Sequence, residues 1–186
     1  MSFRLLDFLK RQAAFSEKTF GPGERTQAVL AHIAKELEEI RLEPWDTVEW
    51  IDVVLLTFDG ARRAGHSLEH MVAQWPIGGT EDLAASLGDL ARVLEGLEPP
   101  TGDPLAILPR LEMGKALVER EPDNASAWMR LAVWALEGAR RTNRTPAQVL
   151  EQLEEKFARN QARDWPDWRM VPAGKPMEHV RRPGVN

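Results

Sequence analysis

Shifted by 78 positions, the chain lies on itself. The stretch EPWDTVEWIDVVLLTFDGARR at 43–63 falls on EPDNASAWMRLAVWALEGARR at 121–141 without a gap. Glu43/Glu121, Pro44/Pro122, Trp50/Trp128 and residues 60–63 over 138–141 coincide, and the apolar pattern between these anchors matches as well. Upstream, QAVLAHIAKELEEI lies on LAILPRLEMGKALV, with Ala28/Ala106 and Leu30/Leu108 identical. The match runs ungapped through a loop, which favours duplication of one helix pair over chance similarity between amphipathic helices. Such a chain has few folds open to it: two hairpins must bury their apolar faces against each other.

Apolar residues recur at helical spacing in nearly every segment, and none alternates with period two, so the expectation is an all-α helical bundle. A first helix is expected near 2–14, followed by the loop TFGPGERT, where Gly21, Pro22 and Gly23 prevent regular structure. A second helix covers about 24–42. Asp46, with Glu49 three residues on, is close to a capping box for a third helix running to about 64. Ser67 caps a short helix, SLEHMVAQW, and EDLAASLGDLARVLEGL forms another. EPPTGDP at 98–104 reads as a linker. Further helices are expected near 105–120, 123–142 and 146–163, with Asp123 and Thr145 as N-caps and Pro146 at the first helical position. The tail from Asp164 is rich in Pro, Trp and Arg and reads as irregular.

The differences between the copies carry the chemistry. Glu36 falls on Gly114, Glu39 on Leu117, Glu49 on Ala127 and Asp52 on Arg130. The second copy keeps the packing residues and drops all four carboxylates, which a merely solvated face would not explain. Glu36 and Glu39 are three apart, as are Glu49 and Asp52, and residues at that spacing share a helix face. A short turn joins the helices, so they pack antiparallel and the two pairs face each other near one end. Four carboxylates in one cleft repel, and a hard divalent cation resolves the conflict: oxygen ligands select Mg²⁺ or Mn²⁺.

The ExxE at 36–39 followed by ExxD at 49–52 resembles the metal signature of the all-α nucleoside triphosphate pyrophosphohydrolases, the MazG and dimeric dUTPase superfamily. With TFGPGERTQAVLAHIAKELEEI, PWDTVEWIDVVLLTFDGARRAGHS and KFARNQARDWPDW around it, the chain looks like the dATP/dGTP diphosphohydrolases of the MazZ type. Such proteins occur in bacteriophages, some with modified purines in their DNA. The resemblance implies hydrolysis of purine deoxynucleoside triphosphates to the monophosphate and pyrophosphate, with Glu36, Glu39, Glu49 and Asp52 as the catalytic metal-holding set. It implies nucleotide contact by Asp59 and by Lys156, Asn160 and Arg163, which share one helix face, with Arg25 and His32 as weaker candidates. The expected organisation is a single domain over 1–186: an active helix pair at 19–76, a degenerate repeat at 97–152, and a nucleotide-contacting helix end and tail at 153–186. About seventy residues separate the first hairpin from the Lys156 segment, an insertion into the simple pattern. A homodimer is the expectation, reduced if the second copy replaces a subunit.

A noncatalytic helical module binding nucleotide or a protein partner is the rival, as is action on another nucleotide such as dUTP or dCTP. HSLEH at 66–70 fits a zinc-peptidase pattern, but Gly65 and the Ser67 cap put His66 before its helix. Trp165 and Trp168 either stack on a base or pin the tail to the core. A net charge of −5 argues against coating nucleic acid. The absence of cysteine excludes disulfides and thiolate metal sites. No apolar run approaches the roughly 18–20 residues of a membrane span. The opening MSFRLLDFLKRQAAF lacks the apolar core of a signal peptide and reads as a packing helix of a cytoplasmic protein, host-cell cytoplasm if phage-encoded.

Overall fold

Two tryptophans and two glycines organise the bundle. In the computed structural model, which describes residues 3–97, 102–172, 175–177 and 179–180 (side chains excepted at 91 and 93–97), the helices are α1 (Leu5–Phe20), α2 (Thr26–Leu42), α3 (Thr47–Arg63), α4 (Leu68–Ala73), α5 (Leu83–Leu97), α6 (Leu108–Arg120), α7 (Ala125–Arg141) and α8 (Pro146–Ala162). No strand occurs among the described residues; the fold is all-α. At its centre α3 packs on α7. Trp50 and Trp128 are fully buried, and each ring lies over the other helix's glycine: a Cβ on Gly138 would come within 2.0 Å of Trp50, and one on Gly60 within 2.5 Å of Trp128.

A shift of 78 turns Trp50 into Trp128 and Gly138 into Gly60, so each contact is the exchange of the other, the reciprocity of a two-fold interface. Thr47 at the start of α3 meets Thr142 just past the end of α7, Oγ1 to Oγ1 at 2.7 Å. His66, just past α3, meets the Pro122 carbonyl before α7 at 3.1 Å. The two helices are therefore antiparallel.

The two hairpins close in the same way. Backbone N–H of Glu43 donates to Glu39 O, and that of Glu121 to Leu117 O, both at 2.8 Å; Asp46 N–H donates to Glu43 O, and Asn124 N–H to Glu121 O, both at 3.0 Å. The indole N–H of Trp50 reaches Pro44 O at 2.9 Å, and that of Trp128 reaches Pro122 O at 2.9 Å. Leu30, Ile33, Leu37 and Ile40 put the apolar stripe of α2 against α3. The remaining helices enclose this centre: α8 and α1 lie against α3, α4 against α1, and α5 against α8.

Several boundaries differ from the sequence expectation. The first helix runs on to Phe20, because Phe15 packs on Phe157 and Ser16 is buried against Asp59. Gly21, at φ +79°, ends it. The cap of α7 is Asn124, which accepts from Ala127 N–H, rather than Asp123. Asp46, Ser67 and Thr145 cap as expected, and Thr145 forms a full capping box with Gln148. Glu49 does not complete such a box with Asp46, since its carboxyl faces Glu36 and Asp52. A 3₁₀ turn at Pro104–Ile107 precedes α6, with Asp103 at its start. Positions 98–101 of the expected linker lie outside the described residues, as does residue 2 of the first helix. A short 3₁₀ turn, Trp168–Met170, interrupts the otherwise irregular tail.

Candidate active site

The α2–α3 hairpin brings its acids together. Carboxylate oxygens of Glu36, Glu49 and Asp52 all lie within 4.8 Å of one another. Glu36 is 3 % exposed, since the turn of helix that places it also carries Ile33, Leu37 and Ile40 into the core. Its Oε1 sits 2.9 Å from His32 Nε2, one turn back on α2. From α8, buried Lys156 extends its Nζ to Asp52 Oδ2 at 2.6 Å. Glu39 is beside the cluster but more exposed, with Lys35 Nζ at 3.0 Å.

The cluster's charges are poorly balanced, and the carboxyls show it. Burial pushes the Glu49 carboxyl up, and the hydrogen bond and negative charge of Glu36, with Asp52 and Glu39 nearby, push it further, to about 8. Burial would raise Glu36 as well, but the hydrogen bond and charge of His32, aided by bonds to Glu39 and Glu49, hold it at about 2. Burial lifts Asp52 above the ordinary range despite the opposing pull of Lys156. Around neutral pH the group thus keeps a proton on Glu49 that a cation would displace. Three carboxylate oxygens this close could hold a divalent ion.

All ten residues expected at the site line a single cavity of about 580 Å³. Glu36, Glu39, Glu49, Asp52, His32 and Lys156 form its acidic end. Asn160 lies one turn further along α8, whereas Arg163, expected on the same helix face, stands just past the helix end in extended backbone; Arg163 Nη1 donates to Asn160 Oδ1 at 3.1 Å. Arg25 enters from the start of α2, donating to Trp168 O at 3.3 Å with its guanidinium over the Trp168 ring. Asp59 lines the cavity too, but its oxygens accept from Ser16 Oγ at 2.5 Å, Arg62 at 3.2 Å and Arg63 at 2.7 Å.

Sequence reasoning missed several wall residues. Lys35 sits one helical turn before Glu39, a spacing that pairs opposite charges. Lys175 joins the cavity wall from the tail. Arg63 uses every N–H it has: Nε on Asp59, Nη1 on the carbonyls of Gly21 and Gly23, and Nη2 on Ser16 Oγ and Gly21 O. One guanidinium thus ties α3 to the end of α1 and to the loop after it. The repeat signals this: Glu137 stands where Asp59 stands, and Arg140 and Arg141 bond it at 2.7 and 2.9 Å. The second hairpin lacks the acid cluster and has the acid–arginine clamp.

An acid cluster of this kind, faced by a lysine in a cavity of an all-α bundle, could hold a metal ion. A family model described as dATP/dGTP pyrophosphohydrolase matches residues 8–75 and 107–184, and the chain belongs to that family of hydrolases acting on phosphoric anhydrides. The match takes in the whole second hairpin, which is therefore part of the family's own pattern rather than an insertion into it. No curated protein and no solved structure matches the chain. Among the described residues no helix is long and apolar enough to cross a membrane.

Proposed function

We propose that this protein hydrolyses dATP and dGTP to the monophosphate and pyrophosphate with the help of a divalent cation, Mg²⁺ or Mn²⁺. The observation that carries this reading is the Glu36–Glu49–Asp52 cluster, closed by Lys156, in the cavity of a chain of this family. Glu36, Glu49 and Asp52, with Glu39 beside them, would hold the ion, which when bound neutralises phosphate charge and acidifies water. Lys156, Arg163, Arg25 and Lys175 line the same cavity and supply positive charge to a triphosphate. Asn160 holds Arg163 in place. Water attacks the α-phosphorus, the bond to the bridging αβ oxygen breaks, and pyrophosphate leaves with that oxygen; a carboxylate of the cluster takes the water's proton.

The first hairpin does the chemistry in this reading. The second acts as its packing partner where a second subunit would otherwise stand, which the reciprocal Trp–Gly contacts and the retained Glu137 clamp support. The test is pyrophosphate release across all common dNTPs and rNTPs with Mg²⁺. Release from dATP and dGTP, lost in Glu36→Gln and Asp52→Asn, is expected. A folded wild-type chain that releases none from any nucleotide refutes the reading.

A further inference from the structure

The cavity has two chemically unlike ends. At one are the acids and Lys156. From there α3 runs seven residues from Asp52 to Asp59, and α8 runs six residues from Lys156 to its end at Ala162, just before Arg163, rises of about 9–10 Å. That is the reach from a nucleotide's α-phosphate, across its sugar, to its base. Phe20, Trp165 and Met177 also line the cavity; Trp165 is held at Asn160, one turn beyond Lys156, and Phe20 stands beside the Gly21 carbonyl that Arg63 binds, one turn beyond Asp59. The Phe20 and Trp165 rings are 4.8 Å apart between centroids and stand at 88°. They make a corner in which a flat base stacked on one ring meets the other edge-on.

The corner is built and held. Phe20 ends α1, and Gly21 after it takes φ +79° with the Trp168 ring behind it, so close that a Cβ would lie 2.3 Å from Trp168 Cδ2. Arg63 fastens the Gly21 and Gly23 carbonyls. Trp165 is fixed through its indole N–H to Asn160 O at 2.8 Å. Both rings are only half-buried, and both line the cavity.

We propose that the Phe20–Trp165 corner is the seat of the substrate's base and sets a preference for purines, whose larger flat face covers more of the ring it stacks on than a pyrimidine's does. This rests on the cavity being a nucleoside triphosphate site. Removing one stacking ring typically weakens base binding about five- to a hundred-fold.

The experiment measures pyrophosphate release from dGTP, dATP and dCTP by the full chain and by Phe20→Leu, Trp165→Leu and Trp165→Phe, with inorganic triphosphate, which has no base, as competitive inhibitor. Expected for both leucine variants are a KM for dGTP and dATP raised about tenfold, kcat within about threefold, a reduced purine-to-pyrimidine ratio of kcat/KM, and an unchanged inhibition constant for inorganic triphosphate. Trp165→Phe recovers most of the KM. An unchanged KM in both leucine variants of an active enzyme overturns the base seat and leaves the proposed activity standing. Equal weakening of dGTP and inorganic triphosphate assigns the rings to structure and also overturns it. A wild-type chain inactive on every nucleotide overturns the seat together with the activity.

Discussion

Replacing Gly138 with alanine should destabilise the chain well beyond an ordinary helix substitution. The added carbon would stand 2.0 Å from Trp50 Cε3 and 2.1 Å from Cζ3, where carbon–carbon contact requires about 3.5–4.0 Å. Trp50 has no room to retreat: it is fully buried, and its indole N–H is bonded to Pro44 O. Glycine to alanine inside a helix gains about 1 kcal/mol. Overpacking a dense core costs about 1–3 kcal/mol and occasionally more, and a misfit of this size belongs at the top of that range. A net loss of about 2–3 kcal/mol follows, a fall in Tm of roughly 4–12 °C for a chain this long. Calorimetry or denaturant unfolding measures it. Gly88→Ala, in α5 with nothing within 4 Å of its Cβ, is the control and should gain up to about 1 kcal/mol. In a Trp50→Leu background the Gly138→Ala penalty should shrink, because the two positions share one contact. A Gly138→Ala chain as stable as wild type would refute the reciprocal packing of the hairpins.

Four further outcomes are expected. Because Glu49 keeps its proton up to about 8 while Glu36 is ionised above about 2, Mg²⁺ binding near pH 7 should release a proton and tighten from pH 6 to 8; calorimetry in buffers of different ionisation heat reads this, and pH-independent affinity contradicts it. In the metal-free chain, Glu36's contribution is present above the ordinary 4.5 and lost as pH falls toward 2, whereas Glu49, protonated in the native state and ionised in the unfolded one, makes stability decline as pH rises from 4.5 to about 8; Tm against pH should therefore fall over the upper window, and Mg²⁺ should remove that fall. Lys156→Met takes away the cation that opposes the upward shift of Asp52, so the acid limb of the pH–rate profile should move to higher pH, and an unmoved limb would separate Lys156 from the cluster. Arg130→Ala, at the exposed counterpart of Asp52, should stay within about 0.5 kcal/mol of wild type with unchanged pyrophosphate release, and a loss of release would bring the second hairpin into the site.

The helical period and the 78-residue shift made the all-α architecture readable, since packing repeats every turn of helix and a shared loop fixes the register. Boundaries were less readable where a tertiary contact decided them. Nothing local in KTF at 18–20 says that α1 continues; Ser16 against Asp59 and Phe15 against Phe157 do. The Asn124 cap was within reach, because Asn124 is the counterpart of Asp46. Glu49 reads locally as a capping-box residue and acts as a cluster acid, a choice made by the neighbouring helix. The acids stood out because they are absent at the aligned positions of the second hairpin, where the packing residues match. Arg63 did not, because most of its partners lie in the distant stretch 16–23 and an arginine, Arg141, also stands at its counterpart. The Phe20–Trp165 corner joins positions 145 residues apart by their numbering, with no periodicity to announce it.

Hydrolysis of dGTP in oxygen-18 water, with Mg²⁺ and then with a chelator, tests the central claim most directly. Attack at the α-phosphorus puts the label in dGMP and leaves pyrophosphate unlabelled, and both products vanish when the cation is removed. Label in pyrophosphate, release of dGDP and orthophosphate, or turnover that survives chelation would contradict the assignment of the Glu36–Glu49–Asp52 cluster to this reaction.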